Sequence, residues 1–138
     1  MGYVSTGSVP EERPDHELPG REHRRARARD RALANRRLAA WGESLAATFL
    51  EERGAVVLGR NVRAGRGEID LLVRLDSTLV AVEVKTRAGG DPRQAYTAEK
   101  ARKVDETAGR LTPSPGRVDL IAVAVGRAGV DIRWIPGV

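Results

Sequence analysis

Between residues 56 and 87 the chain carries three strand-like runs, and the two turns between them are short enough to favour an antiparallel meander. The runs are residues 56–62, 68–74 and 79–87. Ala64-Gly65-Arg66-Gly67 punctuates the first gap and Asp76-Ser77 the second. Helical spacing flanks this meander. Leu38, Trp41, Leu45 and Phe49 recur at steps of three and four, which assigns them to the inner face of a first helix that Gly54 stops. Residues 88–93 read as a loop. Residues 97–111 form a second amphipathic helix with Ala101, Val104, Ala108 and Leu111 inward, broken by Thr112-Pro-Ser-Pro-Gly116. A continuous apolar run over 118–125 suits a central strand, and 130–135 is a last strand ended by Pro136. The order αβββαββ describes an α/β domain over residues 36–138, a mixed β-sheet flanked by helices.

The 138 residues amount to one domain. The longest apolar run, Leu120 to Val125, has six residues, far short of the roughly 20 a membrane span requires. The first residues lack the apolar centre of a secretory signal, so a soluble, cytoplasmic protein with no membrane partner is expected. Residues 1–35 are set apart as an arm, disordered or partly helical. Residues 1–20 are acidic, whereas 21–37 carry eight Arg against Glu22 and Asp30, and there is little aliphatic surface to repay chain entropy. The arm reads either as a nucleic-acid contact or as a solvated leader.

Absences narrow the chemistry. Without Cys there is no thiolate nucleophile and no Cys-based zinc site, and the only two His, His16 and His23, lie in the arm. No glycine-rich phosphate loop occurs. A site in the domain must therefore use carboxylates, Lys, Arg and hydroxyls. The net charge of +5 and a pI near 10.4 favour a polyanionic partner such as nucleic acid. Of 24 basic residues only Lys85, Lys100 and Lys103 are lysine.

Strand alternation then sorts the charges. Glu68, Asp70 and Leu72 share one face opposite Ile69, Leu71 and Val73; Glu83 and Lys85 share a face opposite Val80, Val82 and Val84. Residues two apart on a strand lie roughly 6.6 Å from one another. Pairing of the two strands would bring Asp70, Glu83 and Lys85 onto one polar patch, which is costly in a sheet unless an ion or partner satisfies it. Phosphodiester hydrolysis uses such a set. Mg²⁺, with Mn²⁺ as a substitute, would be held by Asp70 and Glu83, with the backbone carbonyl of Val84 as a third ligand. Lys85 would orient the attacking water or stabilise charge in the transition state. Glu43 lies at the margin of the first helix's apolar face among Ala39, Gly42, Ala46 and Ala47, small neighbours that allow close approach to the sheet.

Gly42-Glu43, Arg60-Asn61-Val62-Arg63, Gly67-Glu68-Ile69-Asp70-Leu71, Val82-Glu83-Val84-Lys85-Thr86-Arg87 and Arg117-Val118-Asp119 occur in this order. The pattern resembles the YraN family, small bacterial proteins similar to archaeal Holliday-junction resolvases and to restriction-endonuclease-like nucleases of the PD-(D/E)xK class. The resemblance spans about residues 36–125. It implies a restriction-endonuclease-like fold in which Asp70, Glu83 and Lys85 are the catalytic core and Glu43 a further catalytic and metal-binding member. It also implies that Lys100 touches substrate phosphate and that Asp119 is structural, paired with an Arg. Arg63, Arg66 and Arg87 flank the site and suit phosphate positioning.

Two readings follow. One is a metal-dependent endonuclease acting on DNA, including branched or damaged structures, for which a homodimer would serve the cutting of two strands. The other is a non-catalytic nucleic-acid-binding module on the same fold. A structural ion cluster at Asp70, Glu83 and Lys85 is the third and plainest possibility.

Overall fold

The computed structural model describes residues 20–138; His16 and the acidic part of the arm lie outside the described residues. Helix α1 (Arg21–Glu51) is followed by β1 (Val56–Ala64), β2 (Gly67–Leu75) and β3 (Thr78–Ala88). A short 3₁₀ turn (Pro92–Ala95), α2 (Ala98–Gly109), β4 (Arg117–Gly126) and β5 (Gly129–Ile135) complete the chain. The five strands form one sheet in the order β1-β2-β3-β4-β5. All neighbours are antiparallel except β3 and β4, which pair in parallel from Val80↔Arg117 to Ala88↔Val125. That parallel step follows from the connection, since only the crossover through α2 is long enough to return the chain to the same end of the sheet. The two hairpins before it turn on Gly65 (φ 59°) and Asp76 (φ 52°), residue types that tolerate left-handed backbone.

The α/β fold and element order expected from the pattern are those observed. Helix α1 begins earlier than residue 38: the Arg/Ala-rich stretch from Arg21 is already helical, in line with its propensity. Residues 21–33 are exposed throughout, and residues 34–138 form a compact unit.

Helix α1 buries its small residues more deeply than the large ones on its expected inner face. Gly42, Ala46, Ala47 and Leu50 are buried, whereas Trp41 is 42% exposed and Leu45 and Phe49 are half-buried at the margin. The reason is proximity. A Cβ on Gly42 would collide with the Thr86 side chain of β3, so the helix sits on the sheet through its small residues and its large ones reach over the rim. Ala46, Ala47 and Leu50 close one core with Leu71, Val73, Val80, Val82, Ile121 and Val123.

On the opposite face Ala81, Val104, Ala108 and Val118 form a second cluster beneath α2, and it includes Ile69. Ile69 thus parts from Leu71 and Val73, contrary to unbroken alternation. The pleat is interrupted there. Asn61, lying between the pairs Arg60↔Leu71 and Val62↔Ile69, has φ 49°, and the β2–β3 ladder begins only at Leu71↔Val82. Helix α2 is capped by Thr97, whose side chain accepts the Lys100 N–H at 3.3 Å. It buries Val104, Thr107 and Ala108, with Ala101 and Leu111 half-buried. Thr107 joins the apolar residues on that face, and its hydroxyl is satisfied by donating to the Lys103 carbonyl at 2.8 Å.

Candidate active site

The end of the β2–β3 ladder at Leu71 creates the site. Where β2 has no backbone rung to β3, the Asp70 carboxylate takes over: its Oδ2 accepts the Val84 N–H at 2.8 Å. Val84 stands between Glu83 and Lys85, so this bond draws Asp70 to the face on which those two project. Lys85 Nζ lies 2.9 Å from Glu83 Oε1, in a pair whose side chains are only 22% and 11% exposed. Alternation in β3 holds as expected: Val80, Val82 and Val84 belong to the α1-side core, whereas Ala81 lies beneath α2 and Glu83 and Lys85 line the groove beside α2.

The electrostatics of the pair are one-sided. Burial, then the Glu83 charge, push the Asp70 carboxyl up to about 8, against the pull of the Val84 N–H; Glu43 and a hydrogen bond shared with Glu83 add to the rise. Glu43, half-buried on α1, is itself raised by burial and by Glu68 and Glu83, with Arg60 and Lys85 opposing. Glu43 is therefore within electrostatic range of the pair. It does not complete a ligand set with it: among the described residues no three carboxylate or imidazole side chains converge closely enough to hold a metal ion. Asp70 and Glu83 are the carboxylates brought together, and theirs are the oxygens that could share a cation.

The remaining expected residues are dispersed. Lys100 lines a groove of about 290 Å³ that opens beside Glu83 and Lys85. Arg66 lines an adjoining groove. Arg87 is exposed, two residues beyond Lys85 on β3. Arg63 is 85% exposed and lies 3.6 Å from Glu68. Three further residues lie near the site, of which only Lys103, as one of three lysines, carried a sequence signal. Tyr96 has a buried hydroxyl with no hydrogen-bond partner among the described residues, and burial with Asp105 and Glu83 pushes it up to about 12, so it remains a donor. Lys103 and Thr107 line the groove beside Lys100.

Asp119 has another role. It is fully buried and accepts from Arg117 Nε (2.8 Å) and a second Arg117 nitrogen (2.9 Å), Trp134 Nε1 (2.9 Å) and the Gly137 N–H (3.0 Å). Burial raises its pKa, but these donors outweigh that and hold it below the usual carboxylate range. Paired to an Arg, it ties the C-terminal residues to β4, and Trp134 packs against the α1-side core.

No helix among the described residues is long and apolar enough to cross a membrane. Residues 42–123, which contain every site residue above, match the model of the Uncharacterised protein family UPF0102. A UPF0102 protein of Roseiflexus castenholzii is 43% identical over 112 residues, covering 72% of this chain and 90% of its own. One from Leifsonia xyli is 44% identical over 107 residues, covering 70% and 91%. A third, from Streptomyces coelicolor, is 40% identical over 103 residues, covering 67% and 79%. The YraN resemblance and these matches point to one family, and the chain belongs to UPF0102.

Proposed function

We propose that this protein is a cytoplasmic, metal-dependent endonuclease that hydrolyses phosphodiester bonds in DNA, branched or damaged structures included. The observation that carries the reading is the juxtaposition of Asp70 with Glu83 and Lys85 where the β2–β3 ladder ends. Two facing carboxylates, one pushed up to about 8 by burial and its neighbour, leave an excess of hard oxygen donors that a divalent cation relieves. The donor set fits Mg²⁺ or Mn²⁺, which hold few protein ligands and keep their waters. Asp70 and Glu83 would hold the ion, which supplies charge neutralisation at the phosphoryl oxygens and a more acidic water.

The chain's own residues do the rest. The Val84 N–H fixes the Asp70 carboxylate in place. Lys85, anchored on Glu83, presents an ammonium where charge develops on the phosphoryl group or where the attacking water must be oriented. Glu43 adds negative charge at the margin, which keeps the site selective for a cation. Asp119 shows what a structural carboxylate looks like in the same sheet, with four N–H donors converging on it, whereas Asp70 accepts a single backbone N–H and faces a second carboxylate.

The test is cleavage of labelled single-stranded, duplex, flap and four-way-junction DNA with Mg²⁺, Mn²⁺ or EDTA, beside Asp70→Ala. Metal-dependent cutting that vanishes in the variant is expected. Tight binding by wild type to one of these DNAs with no cutting of any would instead establish a non-catalytic binding module.

A further inference from the structure

In a chain that uses Arg for 21 of its 24 cations, all three lysines line one groove: Lys85, Lys100 and Lys103, beside Glu83. This groove does not stop there. A second one, about 440 Å³, shares Gly67, Lys103 and Thr107 with the first and adds Arg66 and Arg110. The two make a continuous track from the carboxylate pair outward between the β1–β2 turn and α2. Its walls are built for close approach. A Cβ on Gly67 would collide with Thr107, and one on Gly65 would press on the Arg110 side chain.

Along α2 the residues Lys100, Lys103, Thr107 and Arg110 recur at steps of three and four and so lie along one side of the helix. Ten residues of helix span about 15 Å. At about 3.4 Å of rise per nucleotide, that length matches about four nucleotides of one strand. Lys103 has one local partner, Glu99 at 3.4 Å, with both side chains about two-thirds exposed, a surface pair that phosphate can displace. Glu106 is the only carboxylate lining the outer groove.

We propose that this track is the path of the substrate strand. Lys100 and Lys103 hold phosphates next to the one being cleaved, and Arg66 and Arg110 hold those farther out, so contacts accumulate on one side of the cut. The inference rests on the nucleic-acid reading above and extends it by assigning Lys103, Arg110 and the direction the strand takes. Nucleic acid is favoured over an acidic peptide because the cations follow the regular spacing of one helix side and begin at the carboxylate pair.

The experiment is DNA binding by fluorescence anisotropy from 50 to 300 mM salt, with Ca²⁺ to hold turnover down, for wild type, Lys103→Gln, Arg110→Gln, the double variant and Arg127→Gln on the β4–β5 turn. Each phosphate contact contributes a slope of about 0.7 (single strand) to 0.9 (duplex) to log K against log salt. The double variant is expected to lose at least tenfold in affinity at 100 mM salt and about 1.4 to 1.8 in slope, with Arg127→Gln unchanged. Wild-type affinity and slope in the double variant would overturn the track, whether or not the protein cuts DNA. Loss of slope in a protein that cuts nothing would keep the track and refute the nuclease. Absence of DNA binding by wild type would overturn both and leave the groove to an acidic protein partner.

Discussion

Two aspartates in one sheet have opposite fates. Asp119, on β4, is fully buried yet held below the usual carboxylate range, because four N–H donors from Arg117, Trp134 and Gly137 converge on it. Asp70, on β2, has a single backbone donor and faces Glu83, and its carboxyl rises to about 8. Burial alone therefore does not decide a carboxylate's role; the donors supplied to it do. A fold able to give Asp119 four donors leaves Asp70 with one backbone donor, and in the reading proposed above a divalent cation would supply the compensation that Asp70 lacks.

Breaking each side of this contrast should have different consequences. The largest effect is on turnover: Asp70→Ala should lower metal-dependent cleavage by about 10³-fold or more, read in single-turnover assays, with the fold retained. Next comes stability. Asp119→Ala strands the Arg117 guanidinium and the Trp134 and Gly137 N–H groups. It should cost about 3–5 kcal/mol in urea unfolding, while the remaining folded protein keeps its cleavage rate. Gly42→Ala pushes a methyl into Thr86 and should cost about 1–3 kcal/mol by the same measurement, since α1 must back away from β3. Trp134→Phe removes one of the four donors and should cost about 1 kcal/mol.

The pH dependence sharpens the comparison by sign. Folded Asp70 binds a proton more tightly than it does unfolded. In metal-free protein its contribution to stability is thus full below the ordinary value of 3.8 and is lost as pH rises towards 8. Asp119 binds its proton less tightly when folded, so its contribution is present above the ordinary carboxylate range and is lost as pH falls through it. Thermal melts in EDTA should show Asp70→Asn flattening the neutral limb of the Tm–pH curve, with Asp119→Asn flattening the acid limb.

What was legible in the chain followed the regularity of the backbone. Strand β3 runs unbroken for eleven residues and pairs with β4 without a register shift from Val80 to Ala88, so simple alternation assigned Glu83 and Lys85 to one face and the valines to the other. Strand β2 departs from its pleat beside Asn61, and alternation placed Ile69 on the wrong face for that reason. The inner face of α1 was legible in part: Leu45 and Phe49 pack at its margin and the small Gly42 and Ala46 make the close contact expected of them, whereas Trp41, assigned inward by periodicity, is exposed. The Asp119 donors were only partly visible: the Arg pairing could be expected, whereas Trp134 comes from the far end of β5 and Gly137 from just beyond it. Lys103 was one of three conspicuous lysines, and only the third dimension shows that it shares a groove with the other two.

The most direct measurement is calorimetric titration of Mn²⁺ into wild type, Asp70→Asn, Glu83→Gln and Asp119→Asn at neutral pH. Wild type and Asp119→Asn should bind with equal affinity, and Asp70→Asn and Glu83→Gln at least tenfold more weakly. Equal Mn²⁺ affinity in wild type and Asp70→Asn would contradict the assignment of Asp70 and Glu83 as the metal-holding pair.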